Sequence, residues 1–345
     1  MPRADTTGVT LHLADRDARL SAVELVADRA LTREPRTFSR NGSGWMLRLA
    51  RPAVARFEYQ LAVRGSDGSS ETICDPDNAE RAPGAFGEKS VVRFPGYRAP
   101  AWLDARGVAG EFGDLVVACP GLGEVQARIW SPAGRDRAEH LPLLVAHDGP
   151  EYVSLARLDH YIACGIASGI VPPLRLALLK PGARDQWYSA SAVYARALCE
   201  RVLPALREAV AVGGEPVGMG ASLGALAMLH AQRHHPDAFA GLFLQSGSFF
   251  VPDHDAHESG FVRYARLVRA VRGMLRGNPP GRPVPIALTC GATEENASNN
   301  RTMARALVEQ GYPARLDLVP DLHNFTAWRD AFDPSLPRLL REAWA

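Results

Sequence analysis

Residues 215 to 235 read EPVGMGASLGALAMLHAQRHH, and this stretch decides the architecture expected of the whole chain. Val217 to Gly220 is a short apolar run, Gly220-Ala221-Ser222-Leu223-Gly224 carries a turn, and the Ala, Leu and Met that follow favour a helix. Strand, Gly-x-Ser-x-Gly turn and helix in that order form a nucleophile elbow. A serine hydroxyl is a weak nucleophile, so it must be held clear of its neighbours and beside a base. Glycines two positions before and after allow a strained turn without a Cβ clash. A helix beginning at Ser222 aims free N–H groups at charge forming near the serine oxygen. In a chain with 31 glycines the pentapeptide alone says little; the flanking strand and helix give it meaning.

The pattern on either side divides the chain in two. Residues 8 to about 95 alternate short apolar runs with turns: Val9 to Leu13, Ala22 to Val26, Trp45 to Leu49, Arg56 to Val63 and Val91 to Phe94. Phe57, Tyr59, Leu61 and Val63 alternate with Glu58, Gln60 and Ala62, the period of a strand with one buried face. Gly65-Ser66-Asp67-Gly68 suits a hairpin turn, and strands so spaced predict a small β-sandwich. A Pro-, Gly- and Asp-rich passage then leads to a second domain, with residues 1–100 and 101–345 as the expected division. Beyond Gly113 come an antiparallel hairpin (Asp114 to Cys119, Glu124 to Ser131) and then strands at Leu141 to His147, Leu174 to Leu179, Gly241 to Gln245, Val284 to Cys290 and Ala314 to Val319. Helices are expected between them, at Ala190 to Val212, Phe261 to Leu275 and Asn299 to Gln310, with a last one from Ser335. This alternation predicts an α/β fold with a mostly parallel central sheet covered on both faces, and the elbow makes it an α/β-hydrolase fold. A proline-rich spacer falls at Asn278 to Pro285.

Composition narrows the function classes. At 345 residues and 46% hydrophobic, the chain is globular, with two domains the natural expectation. Its 39 basic and 38 acidic residues give a net charge of +1, which offers no electrostatic case for nucleic acid or an anionic membrane. No stretch approaches the roughly 18 uncharged apolar residues of a membrane span. Five scattered cysteines without a CxxC pair read as reduced core residues, so a cytoplasmic setting is expected. No metal or other cofactor is called for, and a homodimer is left open.

Function in an open α/β sheet collects at the carboxyl ends of its strands. Those ends offer His147-Asp148-Gly149, Pro181 to Tyr188, Ser222, Gln245 to Phe250, Cys290 to Asn296 and Asp321 to Trp328. A hydrolytic triad on this fold runs Ser, acid, His. Ser222, a carboxylate after Cys290-Gly291 and His323 fit both the order and the strand ends. Glu294 is preferred as the acid, with adjacent Glu295 the alternative. Among the ten histidines, His12 and His140 read as surface, and His160, His230, His234 and His235 as solvated or packing residues. His147 ends a strand beside the elbow and is expected to line the pocket, but it precedes the serine. Arg184, Trp187 and Tyr188 share a strand-end loop and are candidates for holding an acidic or aromatic part of a substrate. Asp253-His254-Asp255-Ala256-His257-Glu258 is rich in metal-ligand types and reads as a polar loop rather than a metal site.

Residues 141 to 332 resemble the enterochelin esterase family, within the wider group that contains esterase D and the mycolyltransferases. The resemblance rests on Asp148-Gly149, Arg184, GASLGALAMLHA, HPDAFAGLFLQSGSF (His235 to Phe249), CGATEENASNNRTMARAL and DLHNFTAWRDAF. The N-terminal part is similar to the immunoglobulin-like domain of these esterases, with a DPxN-type turn at Asp75 to Asn78 and an FGxKS segment at Phe86 to Ser90. The family resemblance implies a small-molecule ester substrate, a siderophore lactone, while an aryl or sugar ester fits the motifs equally well; it also implies Ser222 as nucleophile, His323 as base and a carboxylate just after Gly291. It also implies two oxyanion donors, the N–H of Leu223 and one just beyond Asp148-Gly149. Pro150 stands there and has no N–H, so Gly149 or Glu151 substitutes, or the hole has one donor fewer. An acyltransferase using the same triad, or an inactive carbohydrate-binding protein, are the other readings of this chain; Trp45, Phe57 and Tyr59 would line a glycan surface in the last, but are expected to be core.

Overall fold

The computed structural model describes residues 2–136, 138–277 and 281–345; of the proline-rich spacer, residues 278–280 lie outside the described residues. The chain forms two compact units. One contains residues 1–99 together with two later segments, 291–295 and 319–327, and the other contains the remainder. The first unit is therefore not contiguous in sequence.

The first unit is built on two antiparallel sheets. One runs Arg3–Ala4, Gly8–Ala14, Gly44–Ala50, Ser39–Asn41, and the other Leu20–Ala27, Arg56–Gly65, Lys89–Arg93, Arg81–Ala82, with Ser70–Ile73 also paired to Arg56–Gly65. Register places like with like: Val9 faces Leu49, Leu11 faces Leu47 and Leu13 faces Trp45, while Val23 faces Val63 and Leu25 faces Leu61. A one-residue slip would turn each of these rows to the other face. All of them join one hydrophobic core with Phe57 and Tyr59. Trp45, Phe57 and Tyr59 are buried, so they are core residues and present no aromatic surface to a glycan. Tyr59 keeps its hydroxyl satisfied inside, donating to Asp75 Oδ2 at 2.5 Å and accepting from Asn78 Nδ2 at 3.3 Å.

The second unit is organised on an eight-stranded sheet in the order Gly110–Cys119, Gly123–Pro132, Arg175–Leu179, Leu143–Ala146, Val217–Ala221, Gly241–Gln245, Ile286–Gly291, Ala314–Val319. The hairpin at one edge is antiparallel, as is its pairing to Arg175–Leu179. From there to Ile286–Gly291 the pairing is parallel. The central strands are buried along their whole length, as expected where helices cover both faces. The segment expected as one helix from Ala190 to Val212 runs Ala192–Ala197, a π-helical turn Leu198–Val202, and Leu203–Ala209. Tyr194, Leu198, Val202, Leu203 and Leu206 all point into the core. No helix among the described residues is long and apolar enough to cross a membrane.

Removing one buried hydroxyl tests the first unit. Tyr59→Phe leaves Asp75 Oδ2 without its donor, and a loss of about 1–3 kcal/mol is expected, read as a lower urea midpoint with an unchanged m value.

Candidate functional site

Ser222 closes the strand Val217–Ala221 and precedes the helix Leu223–His234 with φ 55° and ψ −123°. A non-glycine residue held there costs about 1–3 kcal/mol and persists only where its surroundings enforce it. They do so through hydrogen bonds on both sides of the residue. Ser222 N–H donates to Gln245 O at 2.9 Å, and Ser222 O accepts from Ser248 N at 3.1 Å and from Ala225 N and Leu226 N. The two motif glycines make the crossing of strand and helix close: a Cβ on Gly220 would lie 2.5 Å from the carbonyl carbon and oxygen of Gly224. Every residue from Leu223 to Arg233 is buried, so this helix is locked in the interior and Leu223 N–H stands at its fixed N-terminus.

Beside Ser222 lies a hydroxyl that sequence reasoning did not single out. Ser248 Oγ sits 3.1 Å from Ser222 Oγ, carried on a turn in which Ser246 has φ 46°. Three side chains hold that turn. Asn300 reads the Gly247 peptide at two points, Oδ1 accepting from its N–H at 3.0 Å and Nδ2 donating to its carbonyl at 2.8 Å. Asn296 Nδ2 donates to Ser246 O at 3.1 Å, and Trp328 Nε1 donates to Ser246 Oγ at 2.9 Å. The signal was present in the Ser246-Gly247-Ser248 run at a strand end and in Asn296, Asn299 and Asn300 at a helix start. From the ligand-rich loop at 253–258, Asp255 accepts from Val251 N and Asn299 Nδ2.

The loop after Leu143–Ala146 forms the wall next to the elbow. A Cβ on Gly224 would come 3.2 Å from His147 Cβ and 3.3 Å from Asp148 Oδ2. Asp148 adopts φ 50° and Gly149 opens the helix Gly149–Ala156, with Pro150 in its first turn. Only glycine fits at 149, since a Cβ there would be 2.5 Å from the Leu178 backbone. Arg184 grips Asp148 with a two-pronged fork, Nε to Oδ1 and Nη2 to Oδ2, both at 2.8 Å. Its side chain remains 35% exposed, lining a cleft of about 580 Å³ with Gln186, Phe261 and Arg263.

The structure places the other three expected substrate contacts in the interior. His147 and Tyr188 have no exposed surface and Trp187 is buried. His147 bonds Gly224 O through Nδ1 at 3.0 Å and Tyr194 Oη through Nε2 at 2.8 Å. A carbonyl only accepts, which assigns the proton to Nδ1 and makes Tyr194 the donor to Nε2. Tyr188 lies against the His147 ring at 4.4 Å between centroids, and Trp187 stacks on Tyr194 at 5.5 Å. The physical reason is area: three aromatic rings gain more by closing over one another and the elbow helix than by facing water.

The remaining expected residues lie in the first unit, on its two later segments. Ala292 N–H donates to Val319 O at 2.7 Å, joining those segments. Buried Glu294 accepts from Gly291 N at 3.0 Å through Oε2 and faces His323 Nδ1 with Oε1 at 3.3 Å. Its carboxylate is the one the structure pairs with the imidazole. Gly291 is tightly enclosed, because a Cβ would lie 2.3 Å from Asp321 O and 2.8 Å from Glu294 Oε2. Burial works against a charged His323, but the charge of Glu294 and the hydrogen bond to it prevail, with help from Asp28 and Glu295, and its pKa is raised above 6.5.

Burial outweighs the Gly224 hydrogen bond and the nearby charge of Asp148 at His147 and pushes its pKa down to about 4; His230, on the elbow helix, is lowered to about 4 as well. Both are neutral when folded and take up a proton on unfolding below 6.5. Stability is therefore full above that value and falls as pH drops from 6.5 towards 4. Urea unfolding across this range is expected to show the loss, at roughly 1.4 kcal/mol per pKa unit per group, with a shallower slope in His147→Gln. In the same assay Gly220→Ala is expected to cost about 1–3 kcal/mol or more by prising strand from helix.

Comparison with known proteins agrees with this architecture. A family model described as putative esterase matches residues 123–339. The iron(III) enterobactin esterase of Dickeya dadantii is 27% identical over 219 residues, 59% of this chain and 49% of that protein, so the match spans about half the length of that relative. Among solved structures, the ferric enterobactin esterase of Salmonella typhimurium superposes with a TM-score of 0.76 at 19% identity, covering 98% of this chain and 93% of the other. The enterochelin esterase of Shigella flexneri also gives 0.76, at 18% identity and with 100% and 95% covered. A ferulic acid esterase gives 0.57 at 15% identity over 67% of this chain and 98% of that one. The elbow, the mixed sheet and the family match converge: the chain belongs to the putative esterase family, among the relatives of the enterochelin esterases.

Proposed function

We propose that the chain is a serine carboxylic-ester hydrolase acting through Ser222, His323 and Glu294. The observation that carries this reading is Ser222 itself, held in a strained conformation at the N-terminus of a buried helix. Family membership and the Glu294–His323 pair support it.

In the proposed reaction Ser222 Oγ attacks the ester carbonyl while His323 Nε2 removes its proton. Its Nδ1–H is directed to Glu294, whose charge stabilises the imidazolium as it forms. Negative charge collects on the carbonyl oxygen, where Leu223 N–H donates. Pro150 having no N–H, Gly149 N–H is the second donor of the proposal. The tetrahedral adduct then breaks its bond to the alcohol, which leaves with the proton held by His323. Water, deprotonated by His323, attacks the acyl-enzyme, and the acid is released as Ser222 regains its proton.

The substrate class proposed is an ester carrying an aromatic group, of the siderophore or aryl ester kind. The similar proteins are named for iron(III) enterobactin and ferulic acid, and Arg184 offers a partly exposed cation beside apolar Phe261. The all-β unit is read as immunoglobulin-like, and the five free cysteines suit a cytoplasmic setting.

Fluorophosphonate labelling with p-nitrophenyl ester hydrolysis tests the reading. Ser222→Ala and His323→Ala are expected to abolish labelling and lower turnover by about 10⁴-fold or more, and Glu294→Gln by roughly 10²- to 10⁴-fold. An unlabelled but folded parent protein would sink the hydrolase and leave a binding protein. The base must be neutral to act, so kcat/KM is expected to rise with pH along a limb above 6.5. Glu294→Gln removes the charge that raises His323 and moves that limb to lower pH.

A further inference from the structure

The first unit contains a buried ionic cluster that the proposed chemistry does not use. Arg56 starts the strand Arg56–Gly65 and is 1% exposed. Its guanidinium donates through Nη1 to Asp321 Oδ2 at 3.0 Å and Asn324 Oδ1 at 3.1 Å, and through Nη2 to Glu58 Oε1 at 2.5 Å. Glu58 Oε1 also accepts from Thr326 Oγ1 at 3.1 Å. Asp321 Oδ1 in turn accepts from Leu322 N at 2.8 Å and Asn324 Nδ2 at 3.2 Å. Two further ties complete the arrangement: Ala55 N–H donates to Pro320 O at 2.6 Å, and the Leu322 side chain is buried in the core of the β-sheets.

Five of the residues around His323, namely Pro320, Asp321, Leu322, Asn324 and Thr326, are thus bound to residues 55–58 or to the β-core. His323 lies among them with its side chain 23% exposed. As a source of stability such a cluster is inefficient, because three charges must leave water and a well-packed apolar set often does as well or better. What it supplies is direction. A guanidinium has a rigid planar fork, and here it reads one loop at two positions that bracket a single histidine.

We propose that Arg56 is a positioning residue for His323: through Asp321, Asn324 and the Glu58–Thr326 contact it fixes the loop that carries the imidazole. The N-terminal β-unit is then part of the catalytic apparatus, supplying the support of the base. This rests on the reading of His323 as base. Since displacement of a reacting group by 1 Å costs about 10²-fold, loosening the loop lowers the chemical step and leaves substrate binding alone.

The test uses the full-length protein with Arg56→Lys, Arg56→Met, Asn324→Ala and Thr326→Val, each checked for folding by circular dichroism and urea unfolding. Lysine keeps the charge and loses the fork. Thr326→Val removes one hydroxyl and is the variant to read if Arg56→Met does not fold. Expected is a fall in kcat of about 10- to 10²-fold with KM nearly constant, slower fluorophosphonate labelling, and a displaced acid limb in kcat/KM as the His323–Glu294 geometry changes. Arg56→Lys is expected to retain more activity than Arg56→Met. Folded variants with lower unfolding midpoints but parental kcat and an unmoved pH limb would overturn the proposal and make the cluster a scaffold. If the parent labels at Ser222 and depends on His323, that result overturns the positioning role alone. A parent that never labels overturns the hydrolase reading and this inference with it.

Discussion

The close approach of two backbones at Gly220 and Gly224 is the constraint from which the second unit follows. A methyl group on Gly220 would overlap the Gly224 carbonyl, so the strand passes into the helix without room for a side chain. Ser222 is left in a conformation that a non-glycine residue avoids. The strain is local, but its enforcement is distributed. The neighbouring strand end takes the Ser222 amide, and the Ser246–Ser248 turn takes its carbonyl. That turn is itself strained at Ser246 and is held by two asparagines and a tryptophan. One unusual backbone position is thus supported by a second, and the second by buried side chains hydrogen-bonded to it.

Several buried polar side chains bind backbone near strand ends. Asn300 on Gly247 and Asn296 on Ser246 satisfy peptide groups of the turn after Gly241–Gln245, and His147 binds the Gly224 carbonyl in the first turn of the elbow helix. Leaving such groups unpaired in the interior would cost more than the hydrogen bonds contribute in isolation. Arg184 extends the pattern to a carboxylate, holding Asp148 in the left-handed conformation that begins the next helix.

Two histidines show how environment assigns roles within one residue type. His147 is enclosed by Tyr188 and Tyr194, and the nearby Asp148, itself paired with Arg184, does not offset its burial, which keeps it neutral over the physiological range. His323 has a carboxylate within hydrogen-bond reach, and the ion pair outweighs the same burial cost. The first is suited to holding the elbow and the second to exchanging a proton.

Much of this was legible in the sequence. Period-two alternation located the core rows of the first unit, and strand-helix alternation located nearly every strand of the second, because burial of one face imposes a repeat that a single chain displays. The elbow was legible for the same reason: its glycines, serine and helix are neighbours in sequence and obey local sterics. Tertiary structure alone decided the rest. It selected Glu294 over Glu295 as the partner of His323, brought Ser248 to Ser222, and turned His147, Trp187 and Tyr188 inward when their strand-end positions suggested a pocket lining. It also gathered residues 291–295 and 319–327 with the N-terminal sheets, tying Arg56 to Asp321 across 265 positions. The physical reason is that periodicity records which face of an element is buried, whereas the partner of a particular hydrogen bond or charge depends on which distant segment packs there, and no local repeat encodes that.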